Sequence, residues 1–274
     1  MSIFKPVTVI TGASVGIGRS LAKVFAAHGH EVALVARREP ELRAVADEIA
    51  AAGGRAHVIP VDLSRADAPA RISHELLGRG LEPAVVVNNA GFGLLGPSYE
   101  LDRGEQLAMI ELNVRTLTDM SLRWVETLAR HNGGIVNIAS VAAFVPGPNM
   151  AVYYATKAYV LSFSEALHRE LEGKNVRVTV VCPGPVKTEF QARAGMSDGM
   201  TRSPLVLSAD DVAKAAYAGF AAGKRLVIPG VFNKLAAFLP RFAPRSWVLT
   251  ATKKFQKRAA PKPAEPGWPR RQKA

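Results

Sequence analysis

Three observations predict an α/β fold for this chain, a doubly wound parallel sheet with helices on both faces. Short β-branched and apolar runs recur along it, stretches with helical spacing alternate with them, and glycine-bearing turns separate the two. The runs are almost continuously apolar, as expected when both faces of a sheet are covered. Residues 7–10 open the series, followed by the loop TGASVGIG (residues 11–18) and the helical stretch SLAKVFAAHG, which ends at Gly29. The apolar run 32–36 leads to a helical stretch over residues 39–52, stopped by Gly53 and Gly54. Further strands are predicted in AHVIPVDL (56–63), AVVVNNAG (84–91), GGIVNIAS (133–140) and VRVTVVCPG (176–184). Between them lie a long helical segment around residues 107–130 and a helix containing AVYYATKAYV (151–160). A polar segment over residues 191–208, a helix over 209–222 and a last strand in RLVIPG (225–230) complete the body. The stretch NKLAAFLPRFAPRSWVLTATKKF (233–255) is apolar, basic and broken by Pro240 and Pro244. Two readings of it stand: broken helices over a ligand cleft, or a helix pair that meets a membrane surface or partner.

A chain of 274 residues that is 48% hydrophobic and 21% charged can bury a substantial core, and one domain over residues 1–252 is the expectation. Cys182 is the only cysteine, which excludes an intrachain disulfide, fits a reducing compartment and makes a cytoplasmic location the expectation. It reads as a small buried residue in VVCPG. The N-terminus lacks a signal-peptide pattern, and no apolar run is long enough to span a membrane. The six histidines show no ligand spacing, so no metal site is expected. Of the net charge of +12, residues 253–274 contribute +7, from eight Lys or Arg against Glu265. With four prolines and few apolar residues, this tail is expected to be disordered. A solvated tail is one reading of this charge and weak attraction to an anionic membrane or nucleic acid is the other; weak membrane-surface contact is kept open and no nucleic-acid partner is expected.

The loop carries Gly12, Gly16 and Gly18 as GxxxGxG between a strand and a helix. Glycine lets the backbone approach a diphosphate, and the helix N-terminus favours its charge. Ser14 and Ile17 belong to the same loop. The second strand ends in LVARRE, with Ala36 where an acid for a ribose 2′-hydroxyl would stand, followed by Arg37 and Arg38. Arginines there suit a 2′-phosphate, so NADP(H) is favoured over NAD(H). Solvated surface arginines, with Glu39 toward a ribose, are the competing reading.

TGASVGIG, NNAG (88–91), Asn113 in ELNV, Ser140 in NIAS, YYATK (153–157) and PGPVKT (183–188) together resemble the short-chain dehydrogenases/reductases over residues 5–230. VIPGVFNKLAAFLPR (227–241) also resembles a bacterial general-purpose branch of that family. The resemblance implies a Rossmann-type fold and an NADP-dependent oxidoreductase acting on a carbonyl compound or the corresponding alcohol. It implies that Asn89, Ala90 and Gly91 run along a bound dinucleotide, that Asp62 meets the adenine, and that Val186 and Thr188 meet the nicotinamide carboxamide. Asp62 also reads as a turn or N-cap residue after a strand. Ser140 is implied to bind the substrate oxygen, Asn113 to hold a water linking Lys157 to solvent, and Lys157 to bind the nicotinamide ribose. A homodimer or homotetramer is implied as well.

Helix geometry bears on the three tyrosines of AVYYATKAYV. Tyr153 and Lys157 are four residues apart and share a face, Tyr154 is turned by roughly 100°, and Tyr159 cannot share the lysine's face. An ammonium beside a phenol is expected to lower its pKa toward working pH. The family pattern YxxxK selects the same residue, Tyr153, as general acid/base. Tyr154 is left as a packing or subunit-interface residue. Phe92, Leu94, Phe144, Val145, Met150, Phe190 and Met196 make the expected substrate loops apolar, which predicts a hydrophobic ketone or aldehyde. A non-catalytic NADP-binding regulatory protein and a membrane-surface-associated carbonyl reductase are the alternatives. Sugar-nucleotide epimerases of related fold resemble TGxxGxxG, whereas this chain has TGxxxGxG.

Overall fold

Seven parallel strands form the centre of the computed structural model, which describes residues 4–195 and 206–259. In chain order the elements are β1 (Lys5–Thr11), α1 (Gly16–Ala27), β2 (Val32–Ala36), α2 (Glu39–Ala51), β3 (Ala56–Pro60), α3 (Ala68–Gly78) and β4 (Leu81–Asn88). Next come α4 (Arg103–Ile110), a π-helical stretch (Glu111–Thr116), α5 (Leu117–Arg123), α6 (Val125–Arg130), β5 (Gly134–Ile138), α7 (Ala151–Glu170) and β6 (Arg177–Val181). The chain continues with α8 (Glu189–Arg193), α9 (Ala209–Ala221), β7 (Leu226–Val227), α10 (Val231–Phe238) and α11 (Arg245–Ala259). The sheet order is β3-β2-β1-β4-β5-β6-β7. The order reverses between β1 and β4, where a doubly wound sheet opens a crevice at the carboxyl ends of its strands.

Period-two alternation divides each strand between two cores. Val9, Val35, Val86 and Ile135 face α3, α5, α6 and the C-terminal part of α7, where Ile72, Trp124, Leu128 and Leu167 close the layer. Ile10, Leu34, Val87 and Val136 face α1, α2 and α9, against Leu21, Phe25, Leu42 and Phe220. This explains the apolar runs: successive residues serve opposite layers, and neither layer is solvated.

The expected α/β fold is thus present, with several local differences. α3 is an element that the strand-by-strand pattern did not announce; Ala68, Ile72 and Leu76 at four-residue spacing form its buried stripe. The long helical segment expected over residues 107–130 is interrupted twice, by the π-helical stretch and again at Trp124. The strand in RLVIPG is only two residues long. The tail expected to begin at residue 253 needs a correction, since residues 253–259 continue α11. Gln256 is buried there and its side-chain amide hydrogen-bonds the Tyr154 hydroxyl, a tertiary anchor that composition does not reveal. Residues 260–274 and Met196 lie outside the described residues. Among the described residues, no helix is long and apolar enough to cross a membrane.

Candidate active site

A cleft of about 700 Å³ opens along the carboxyl ends of β1, β2, β4, β5 and β6, within the usual size for a cofactor or small-molecule site. At one end stands the glycine loop. Gly12 and Gly16 have φ of +64° and +55°, in the left-handed region that side chains disfavour. A Cβ at Gly18 would lie 2.1 Å from the Gly12 carbonyl oxygen, and one at Gly12 would lie 2.8 Å from Asn89 Nδ2. α1 begins here with no side-chain cap and no acid in its first turn, which leaves N–H donors of that turn for an anion. The cradle therefore fits a dinucleotide diphosphate.

Thr11 fastens this loop to the next strand. Its hydroxyl donates to the Val87 carbonyl at 3.2 Å and accepts from the backbone N–H groups of Asn89 at 2.9 Å and Ala90 at 3.0 Å. Asn89 in turn donates from Nδ2 to the Thr11 carbonyl at 2.9 Å. Thr11 opens the TGxxxGxG pattern but was given no role from the sequence, because its role depends on the β1–β4 pairing.

Ser14, Gly16, Ile17, Arg37, Arg38, Asp62, Asn89, Ala90, Gly91, Val186 and Thr188 all line the cleft. The two arginines differ. Arg38 is engaged by Glu189 at 3.0 Å and Glu41 at 3.5 Å, whereas Arg37 makes no such ion pair among the described residues. Burial alone would raise the Asp62 carboxyl, but the N–H and hydroxyl of Ser64 at 3.0 and 2.8 Å, with Arg37, leave it below its ordinary value. The turn role considered for Asp62 is therefore present, on a residue that also faces the cleft. Arg193 is a third guanidinium in the cleft, held 4.3 Å from the Phe92 ring centroid. Burial lowers its pKa, and Arg37 adds repulsion. Its distance of many residues from LVARRE hid this cluster from sequence reading.

At the other end, α7 brings Tyr153 and Lys157 beside Ser140, which follows β5. Ser140 Oγ accepts from the Ala142 N–H at 3.1 Å, fixing the turn, and donates to the Pro183 carbonyl at 3.5 Å. Lys157 Nζ donates to the Ile138 carbonyl at 2.8 Å and lies 5.8 Å from the Tyr153 ring centroid. The electrostatics correct the sequence expectation. Burial raises the Tyr153 pKa well above 10, with the Ser140 hydroxyl opposing. Burial also pulls Lys157 from 10.5 to about 8. Both changes have one cause: exclusion of water penalises the charged form of each group, phenolate and ammonium alike. In this state the Tyr153 phenol is neutral.

Asn113 sits in the π-helical stretch and is 1% exposed. It exchanges two hydrogen bonds with the backbone of Phe92, at 2.9 and 3.2 Å, and donates to Thr156 Oγ1 at 3.1 Å. The widened turn aims this amide inward, as π-bulges commonly do at functional sites. Gly91 passes so close that a Cβ there would lie 2.9 Å from Asn113 Oδ1 and 3.6 Å from Lys157 Nζ.

Of the residues expected to make the substrate loops apolar, Phe92, Leu94, Met150 and Phe190 line the cleft. Phe144 does not; it packs with Val160 and Leu161 behind the Ser140 turn. Val145 packs against the cluster of Met150 and Tyr153 without lining the cleft. Cys182 is fully buried, and burial pushes its thiol up to about 12. Two residues of α11, Phe255 and Gln256, also line the cleft.

Comparison with known proteins agrees with this geometry. Residues 6–198 match the family described as short chain dehydrogenase. A short chain dehydrogenase of Pseudocercospora fijiensis is 34% identical over 203 residues, covering 72% of this chain and 65% of that protein. Sulfoacetaldehyde reductase 2 of Chromohalobacter salexigens is 35% identical over 219 residues, 77% of this chain and 86% of that protein. The structure of a short-chain dehydrogenase from Sphingobium yanoikuyae in complex with NADPH superposes with a TM-score of 0.76 at 31% identity, covering 89% of this chain and 95% of that chain.

Proposed function

We propose, from the premise that the chain belongs to the short chain dehydrogenase family, that it is an NADP(H)-dependent oxidoreductase acting on hydrophobic ketones or aldehydes, or on the corresponding alcohols. The observation that carries this reading is that buried Tyr153 and Lys157 and half-buried Ser140 line the same cleft as the glycine cradle.

Bound NADP(H) would supply the hydride exchanged with the carbonyl carbon. The protein's part is to hold the carbonyl oxygen and supply its proton. Tyr153 donates that proton, and the Ser140 hydroxyl stabilises the charge developing on the oxygen. Lys157, with its pKa near 8, then returns a proton toward Tyr153 and holds the nicotinamide ribose. Asn113 fixes the Phe92 backbone, and through a water would connect Lys157 to solvent. Gly12, Ser14, Gly16, Ile17 and Gly18 would hold the diphosphate, and Asn89, Ala90 and Gly91 would follow the dinucleotide. Asp62 would meet the adenine, and Val186 with Thr188 the carboxamide. Arg37 is the arginine best placed for a 2′-phosphate, because Arg38 is already paired with two glutamates. Exposed Leu107, Ile110, Leu122 and Tyr159 on α4, α5 and α7 offer an apolar surface for a homodimer or homotetramer.

Titration should show NADPH binding more tightly than NADH, and Arg37→Ala should shrink the gap by about tenfold or more. Equal affinities in the native protein would remove the NADP assignment. The substrate class is tested by NADPH consumption with long-chain ketones and aldehydes beside a sulfonated aldehyde and sugar phosphates. Turnover confined to the charged compounds would overturn the hydrophobic assignment.

A further inference from the structure

Nine of the fifteen large hydrophobic side chains exposed among the described residues lie between Val231 and Phe255. Phe232, Phe238, Leu239, Phe242 and Trp247 are 53–75% exposed, and the rings of Phe238 and Phe242 meet edge to face at 5.1 Å. Such a concentration on one segment is unlike the scattered single apolar residues of an ordinary surface. The buried side chains of the same segment, Asn233, Ala237 and Gln256, fasten it to the body and leave the aromatic groups outward.

Charge on this segment is one-sided. Residues 231–274 contain eleven Lys or Arg and the single acid Glu265, a net +10 of the chain's +12, so residues 1–230 carry only +2. Lys234, Arg241, Arg245, Lys253 and Lys254 are exposed among the apolar residues. Aromatic and leucine side chains that enter the headgroup boundary, flanked by cations that meet lipid phosphates, are the chemistry of an interfacial helix on anionic lipid.

We propose that residues 231–259 dock the protein on an anionic bilayer surface through the exposed face of α10 and α11. A second copy of the chain fits this face less well, because a two-fold contact would set the segment's cations against the same cations of the other copy. Phe255 connects the docking face to the cleft: it is 38% exposed and also lines the cleft beside Gln256. A lipophilic carbonyl compound dissolved in the bilayer would thereby reach Tyr153 along an apolar wall. This delivery role rests on the substrate class proposed above; the docking itself does not.

The test is flotation of the full chain with vesicles of phosphatidylcholine alone and of phosphatidylcholine with phosphatidylglycerol. Binding is expected on the anionic vesicles, about tenfold or more weaker on the neutral ones, and falling as salt is raised. The double variant Phe242→Ser, Trp247→Ser should bind anionic vesicles about tenfold more weakly. Both residues are exposed and outside the cleft, so its melting temperature and its turnover of a water-soluble aldehyde should match the native protein. No binding to either vesicle, or equal binding to both, would overturn the proposal. So would an unchanged lipid affinity of the double variant with a halved mass in light scattering, which would assign the face to self-association. Lipid binding without any carbonyl turnover would support docking and overturn only the delivery role.

Discussion

The two ends of the cleft are built on different principles. The cofactor end is mostly backbone: Gly12, Gly16 and Gly18 bring main chain within reach of a diphosphate, and Thr11 and Asn89 tie adjacent strand ends together. The proposed catalytic end is made of side chains from distant segments, with Ser140 after β5, Tyr153 and Lys157 on α7, Asn113 in the π-helical stretch and Gln256 on α11. Backbone sites tolerate no added volume, whereas side-chain sites stand or fall on single functional groups.

The sharpest way to break this contrast is at the catalytic end. Tyr153→Phe removes one hydroxyl, and carbonyl turnover should fall by about 10²–10⁴-fold while NADPH affinity is nearly unchanged. Steady-state kinetics with a fluorescence titration of NADPH would show both. A loss of cofactor affinity equal to the loss in rate would mean that the two ends are not separable.

At the cofactor end, Gly18→Ala adds only a methyl, yet places it 2.1 Å from the Gly12 carbonyl oxygen and 2.5 Å from Asn89 Nδ2. We expect a stability cost of about 1–3 kcal/mol in denaturant unfolding together with loss of NADPH binding. Binding that survives with native affinity would show that the loop yields where the packing says it cannot.

Lys157→Met tests the cost of burying charge. The native pKa of about 8 lies below the ordinary 10.5, so the folded protein binds fewer protons than the unfolded chain between these values. The penalty is complete below pH 8 and disappears as pH rises toward 10.5. After allowing for the lost bond to Ile138, the variant should be about 2 kcal/mol more stable than the native protein at pH 7, and inactive. The stability gain should vanish below pH 10.5 and reverse to a loss of about 1 kcal/mol above it, where only the missing bond to Ile138 remains. Melts across pH 7–10.5 would check the slope as well as the sign.

The smallest expected effect concerns the neighbouring phenol. Tyr154→Phe leaves the buried amide of Gln256 without its partner and should cost about 1–3 kcal/mol, while retaining most of the activity. Adding Gln256→Leu removes the stranded amide and should recover much of that stability. Additive losses in the double variant would mean that the contact is not what holds α11.

How much of this was legible in the sequence follows the same division. The strands were readable because each must fill two apolar layers, and the glycine loop because its steric demand exempts few other residues. Tyr153 was readable because its partner Lys157 lies one helical turn away. By contrast, α3 was missed because its stripe of Ala68, Ile72 and Leu76 is short, and Arg193 because nothing local marks a cation that joins Arg37 only through the fold. Phe144 was misassigned to the cleft because a loop sequence does not state which way a side chain turns.

The sequence by itself determined the succession of strands, the glycine loop and the tyrosine paired with Lys157, because all of these are written in local spacing. Only the tertiary structure decided the electrostatics and the end of the chain. Proximity to Lys157 predicts a lowered phenol pKa, but burial, which belongs to the whole surrounding shell, raises Tyr153 and lowers Lys157. Composition predicts disorder from residue 253, but α11 runs to Ala259, and its Gln256 amide meets the Tyr154 hydroxyl 102 residues away in the chain. Desolvation and long-range contacts depend on what surrounds a residue in space, and adjacency along the chain does not encode that.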